Sequence, residues 1–247
     1  MIMKKILIMG ASSGIGLACA EAFLRGGLTL GLAARRTEKF EKLQKKYPGR
    51  VHYSAIDITR PEAKEKMLDL IKRMGGMDIY FHVSGIAAKN SDLDAETEVA
   101  VFETNTVGLV RCVSTAYQYF RRHGIKGQIA AVTSVAGTNG LANLSAYSAS
   151  KAADRVWLTA LMQLSNSSHA GITITDIRPG WITTPLLTSG HKHMMEMSLD
   201  YAVPRIIRAI VRKQRVAVID WRWNILVGLW RLIPNALYTR ISLPVGL

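Results

Sequence analysis

Tyr147 and Lys151 stand four residues apart in the stretch "SAYSASKAADR", which is otherwise made largely of small residues. On a helix, that spacing puts both side chains on one face. A phenol exchanges its proton poorly at neutral pH, but an ammonium held beside it stabilises the phenolate and makes such exchange practicable. The pair alone is weak evidence, because the tyrosine and lysine contents of this chain give about half a chance match. Two further features raise its value. Ser134 lies 13 residues upstream at the end of the apolar run "QIAAVTS", where the carboxyl end of a strand places residues beside a ligand. The loop "GASSGIG", with Gly10, Ser12, Ser13, Gly14, Ile15 and Gly16, follows the apolar run "KILIM" directly and leads into a helical stretch. Glycines there permit a tight turn and let backbone N–H groups approach a pyrophosphate, which the positive end of a helix favours.

These residues need a scaffold. Seven apolar runs alternate with helix-length segments along nearly the whole chain: "KILIM", "LTLGLAA", "VHYSAI", "DIYFHV", "QIAAVTS", "ITITDIR" and "RVAVID". Several are apolar at almost every position, as strands covered on both faces are. Between them, "LACAEAFLRGG", "TEKFEKLQKKY" and "PEAKEKMLDLIKRM" read as helices, with Pro61 at the start of the last. The alternation predicts an α/β chain: a Rossmann-type, doubly wound, seven-stranded parallel sheet with helices on both faces.

The glycine spacing, with the strand order around it, resembles the classical short-chain dehydrogenase/reductase family over nearly the whole chain. "GASSGIG" matches the family's glycine motif, with Met9 in place of a threonine before it. Asn105 in "ETNTVG", Ser134, Tyr147 and Lys151 match its Asn-Ser-Tyr-Lys tetrad in order. The resemblance implies hydride transfer between a nicotinamide and a carbonyl or secondary alcohol. Tyr147 would carry the proton, Ser134 would donate a hydrogen bond to the substrate oxygen, and Lys151 would also hold the nicotinamide ribose. Asn105 would position a water linking Lys151 to solvent. Asp57 and Ile58 in "AIDIT" would meet the adenine, and Gly85 in "HVSG" matches a further conserved turn, with His82 and Val83 where the family carries asparagines. Pro179 and Gly180 in "DIRPGWITTP" would turn beside the nicotinamide, and Ile182 and Thr184 would meet its carboxamide. At the end of the second strand, Ala34 replaces the family's acid and is followed by Arg35 and Arg36. Two guanidiniums without a competing carboxylate suit a 2′-phosphate, so NADP(H) is expected over NAD(H). The alternative from another class is a non-catalytic NADP(H)-binding redox sensor or scaffold. His82 reads as a structural histidine.

Composition narrows the setting. Cys19 and Cys112 are the only cysteines, which argues against a disulfide framework, and no metal site is expected. The apolar run near the N-terminus is too short for a secretory core, so a cytoplasmic protein is expected, possibly at the inner face of a membrane. The net charge is +14, and from Pro204 onward eight Lys or Arg face a single acid, Asp220. No nucleic-acid module is recognisable, and the expected partners are a small carbonyl or alcohol substrate and further copies of the chain as a dimer or tetramer. Residues 1–220 are expected to form one dinucleotide-binding catalytic domain, with 221–247 as an apolar and basic tail packed on it. Read as a helix, the tail gathers Asn224, Gly228, Arg231 and Asn235 into a narrow polar stripe and is apolar elsewhere, with Pro234 ending the helix. It could be a subunit interface, a cap over the substrate cleft, or a monotopic anchor whose tryptophans sit at headgroup level while Arg205, Arg208, Arg212, Lys213 and Arg215 attract anionic lipid. Substrate specificity is expected from "AAKNSDLD" and from "LLTSGHKHMMEMS", where Met194, Met195 and Met197 suggest either an adaptable lid or core filling.

Overall fold

The computed structural model describes residues 4–186 and 193–241; positions 187–192 of the expected specificity segment and 242–247 of the tail lie outside the described residues. The seven apolar runs form seven parallel strands, β1 (Lys5–Met9), β2 (Thr29–Ala34), β3 (Val51–Ala55), β4 (Ile79–His82), β5 (Gln128–Val132), β6 (Thr173–Pro179) and β7 (Val216–Ile219), in the order β3-β2-β1-β4-β5-β6-β7. The helices are α1 (Gly14–Arg25), α2 (Glu38–Lys46), α3 (Ala63–Arg73), α4 (Ala95–Phe102), α5 (Gly108–Arg122), α6 (Ser145–Ser167), α7 (Leu199–Val211), α8 (Trp221–Trp230) and α9 (Asn235–Tyr238). This is the doubly wound α/β architecture expected from the sequence.

Strand alternation explains how one sheet serves two cores. Ile6 and Ile8 of β1 pack with Leu30 and Leu32 against α1, α2, α7 and α8, while Leu7 and Met9 pack with Met67, Leu109 and Leu158 against α3, α5 and α6. Both faces are therefore apolar and sealed, which is why the strands read as continuous apolar runs. Gly31 on β2 is required by this packing, since a Cβ there would lie 2.2 Å from the Met74 sulfur.

Two local features place the functional residues. The strand order reverses between β1 and β4, so the loops after these strands open a crevice at their carboxyl ends. Between α4 and α5 the chain makes a π-helical turn, Glu103–Val107, which buries Asn105 completely. Such turns insert one extra residue into a helix and recur at functional sites.

The tail differs from the simplest expectation. Its broad apolar surface is only partly covered: Trp223 and Val227 are buried in the core beside β7, while Trp221 and Ile225 face outward. The helix packs through one narrow face because it sits at the sheet's last strand and crosses onto the turn after β5 instead of entering a groove. It starts at Asp220, whose φ of 78° and ψ of 125° lie outside the left-handed helical region that aspartate tolerates. The Asp220 carboxylate accepts a hydrogen bond from the Arg222 backbone at 3.0 Å and pairs with the Arg222 guanidinium, capping α8. Of the two readings of the methionines, Met197 follows core filling, buried in a bridge to Ile182, whereas Met194 is exposed.

Candidate active site

The glycine loop is shaped by backbone contacts. Gly10 has φ of 93°, and a Cβ on it would lie 2.5 Å from the Ser84 nitrogen in the loop after β4. A Cβ on Gly16 would lie 2.2 Å from the Gly10 carbonyl oxygen. Ser12, Ser13, Gly14 and Ile15 are half-buried around this turn, and the Ser13 side chain does not cap α1, so the first-turn amides have no side-chain acceptor. A cradle that side chains would fill, ending on uncapped helix amides, fits a pyrophosphate. Thr184 lies against Gly14, within 3.3 Å of a Cβ placed there, joining the segment after β6 to the cradle.

At the far end of the crevice Arg35 and Arg36 follow β2, exposed and in no ion pair among the described residues. Asp57 follows β3 and accepts hydrogen bonds on one oxygen from the Thr59 backbone at 3.0 Å and its hydroxyl at 2.8 Å. Burial pushes its carboxyl up, but the Thr59 hydrogen bonds and the neighbouring Arg35 charge outweigh that and hold it below the usual range. Ile58 is buried against Gly108, where a Cβ would come within 2.7 Å.

The other candidates converge beyond β4 and β5. Ser134 caps the 3₁₀ turn Val135–Thr138: its Oγ accepts from the Ala136 nitrogen at 3.0 Å and lies 3.5 Å from the Pro179 carbonyl. Tyr147 and Lys151 occupy the first two turns of α6, and both face the same cavity as Ser134. The Lys151 ammonium is buried, 3.4 Å from the Val132 carbonyl and 3.1 Å from the Asp154 carboxylate. Burial raises the Asp154 carboxyl above its ordinary value, with Lys151 pulling the other way. Asn105 clamps the loop after β4 with both ends of its amide: Oδ1 accepts from the Ile86 nitrogen at 2.8 Å and Nδ2 donates to the Ile86 carbonyl at 2.9 Å. A Cβ on Gly85 would lie 3.2 Å from Asn105 Oδ1 and 3.6 Å from Lys151 Nζ, so a glycine keeps these two groups within reach of each other. The loop onward is braced to α6 through Glu98, which accepts from Asn90 at 2.8 Å and from Ser145 at 2.7 Å.

Ile15, Gly85, Ser134, Tyr147, Lys151, Pro179, Gly180, Ile182 and Thr184 all line one cavity of about 1150 Å³. Gly10, Ser12, Ser13, Gly14, Gly16, Arg35, Arg36, Asp57, Ile58 and Asn105 lie outside that lining. The sequence reading missed one feature. Asp154 is a completely buried partner for Lys151, signalled only by an acid three residues further along the same helix. The tail residues Trp223, Leu226, Trp230, Ile233 and Tyr238, with Leu141 and Trp181, form a largely indole and aliphatic roof, in keeping with the cap over the cleft that was one reading of the tail. Gly180 sits directly beneath Trp223, where a Cβ would come within 2.1 Å of the indole. His82 lies apart from the cavity, buried, bonded to the Tyr80 hydroxyl at 2.8 Å and pushed down to about 3 by burial.

A glycine cradle at the switch point of a doubly wound parallel sheet, opening onto a Ser-Tyr-Lys wall, defines a dinucleotide-dependent oxidoreductase. Residues 4–194 match the short chain dehydrogenase family. An uncharacterized oxidoreductase of Mycobacterium tuberculosis is 30% identical over 249 residues, spanning 97% of each chain. The farnesol dehydrogenase of Aedes aegypti is 28% identical, covering 85% of this chain and 92% of the relative. The fold matches a short chain dehydrogenase from Burkholderia cenocepacia solved in complex with NADP, with a TM-score of 0.82, 21% identity and 98% of each chain covered. The chain belongs to the short-chain dehydrogenase/reductase family and is an oxidoreductase of that family.

Proposed function

We propose that the protein is an NADP(H)-dependent oxidoreductase that interconverts a ketone and a secondary alcohol on an extended, apolar substrate. The observation that carries this reading is the convergence of Ser134, Tyr147 and Lys151 on one wall of a cavity whose remaining lining is mostly indole and aliphatic. Bound NADPH supplies the hydride. Ser134 donates a hydrogen bond to the substrate oxygen, where negative charge develops. Tyr147 gives that oxygen its proton, and the Lys151 ammonium stabilises the tyrosinate left behind. Asp154 keeps Lys151 oriented within the core, and Asn105 positions a water beside Lys151.

The nucleotide side is assigned by the same logic. The Gly10–Gly16 loop takes the pyrophosphate on uncapped amides, and Arg35 and Arg36 take the 2′-phosphate. The second Asp57 oxygen and Ile58 meet the adenine, while Pro179, Gly180, Ile182 and Thr184 flank the nicotinamide. The test is NADPH oxidation across ketones of graded chain length and polarity. The expected result is a kcat/KM that rises with apolar chain length; a preference for short polar ketones would overturn the substrate assignment.

A further inference from the structure

We propose that the outer face of α8 and α9 docks on an anionic lipid bilayer and holds the mouth of the cavity at its surface. Trp221, Ile225, Leu232 and Leu237 on this face are 55 to 77% exposed. Large apolar side chains clustered in this way mark interaction surfaces. The rim of the cavity continues the same character, since Leu186, Met194, Leu229 and Ile241 line the cavity and are themselves 40 to 63% exposed. A site for a water-borne polar substrate has no use for such a rim.

Charge selects the occupant. The eight Lys and Arg from Arg205 to Arg240 are all exposed, and the one acid among them, Asp220, is buried against Arg222. Arg205 and Arg208 lie on α7, and the Arg205 charge reaches Asp220 at the root of α8. A second copy meeting this face by two-fold symmetry would bring like charges together, because an isologous contact sets the same patch against itself. An anionic bilayer satisfies both components, taking tryptophans at headgroup level and drawing arginines to its surface. No helix of the described residues is long and apolar enough to cross a membrane, so the contact is interfacial. An apolar substrate then passes from the bilayer into the cavity beneath α8 without entering water; this delivery role rests on the proposed carbonyl chemistry, whereas docking does not.

The experiment is sedimentation of the full chain with phosphatidylcholine vesicles and with vesicles also containing phosphatidylglycerol, at low and high salt. The protein is expected to pellet with the anionic vesicles at low salt and to be released by high salt. Trp221→Ser with Ile225→Ser and Leu232→Ser, and separately Arg231→Glu with Arg240→Glu, are each expected to weaken pelleting by about tenfold or more. Both variants keep NADPH oxidation on a short ketone. Charge reversal leaves the apolar face intact, so it decides the matter where the serine variant fails to fold. A wild-type chain left in the supernatant with both vesicles overturns the proposal, as does pelleting that charge reversal leaves unchanged. A wild-type dimer that ignores vesicles and that the serine variant dissociates assigns the face to a subunit interface instead. Pelleting is scored without turnover, so failed docking and failed carbonyl chemistry are told apart.

Discussion

The side of the crevice proposed for the nucleotide and the side proposed for the substrate are built from different materials. Around the pyrophosphate cradle the close approaches are backbone against backbone, Gly16 to the Gly10 carbonyl and Gly10 to the Ser84 amide. Around the substrate the close approaches are to side chains, as between Gly180 and the Trp223 indole. Backbone cannot be re-tailored without refolding the loop, whereas an indole can turn or be exchanged. A rigid cradle with a replaceable roof lets one scaffold hold one cofactor while changing what it acts on.

The deepest cut passes between the two regions. Tyr147→Phe removes the proton donor and touches neither cradle nor roof, so turnover is expected to fall by about a thousandfold with NADPH affinity unchanged. Steady-state rates and a fluorescence titration check both halves; near-normal turnover would remove Tyr147 from the chemistry. A matched pair of substitutions then tests the division itself. Gly16→Ala meets backbone and is expected to weaken NADPH by about a hundredfold, whereas Gly180→Ala meets the Trp223 side chain, which can shift, so it is expected to weaken NADPH by about tenfold or less and to move the preference between long and short ketones by about tenfold. If the two variants behave alike, the division fails. Arg35→Ala with Arg36→Ala should cost NADPH about tenfold to a hundredfold and leave NADH nearly untouched, since only NADPH carries the 2′-phosphate. Equal losses measured for both cofactors would show that these arginines do not read it.

The smallest effects separate the regions by pH. His82 on β4 is held down at about 3 by burial, so the unfolded chain binds a proton that the folded chain refuses. Stability should decline as pH falls from the ordinary imidazole range, near 6.5, toward 3. Asp220 is held below its ordinary value by hydrogen bonds from Arg222, so its support of α8 is present above the carboxylate range and is lost only as pH falls through it. Thermal unfolding followed against pH should therefore weaken globally first. A further change from the α8 tryptophans should come at more acid pH, and an earlier tail transition would reverse the assignment.

How much of this was legible in the sequence follows the same division. The inner strands could be read because a sheet covered on both faces leaves no polar alternation to confuse with helix, and the cradle could be read because backbone approach leaves glycine as its trace. Asn105, Ser134, Tyr147 and Lys151 were identifiable by type and order, but not the Asp154 carboxylate against Lys151, because one acid on a helix gives no hint of burial. The buried Asp176–Arg178 pair at the end of β6 was equally silent, its members two residues apart on one strand. In the tail, hydropathy announced an apolar helix and could not say which side would be covered: that depends on β7 and the turn after β5, whose positions are set by the rest of the fold.

The π turn at Glu103–Val107 makes α4 and α5 a single rod with a dislocation in it. One surplus residue offsets everything before it by about 100° relative to everything after. Deleting one residue there would mend the rod into an unbroken helix and release whatever strain the bulge stores, yet it would swing the Asn105 amide away from Ile86 and loosen the floor beside Lys151. At this one point, the chain's most regular form and its working form are different molecules.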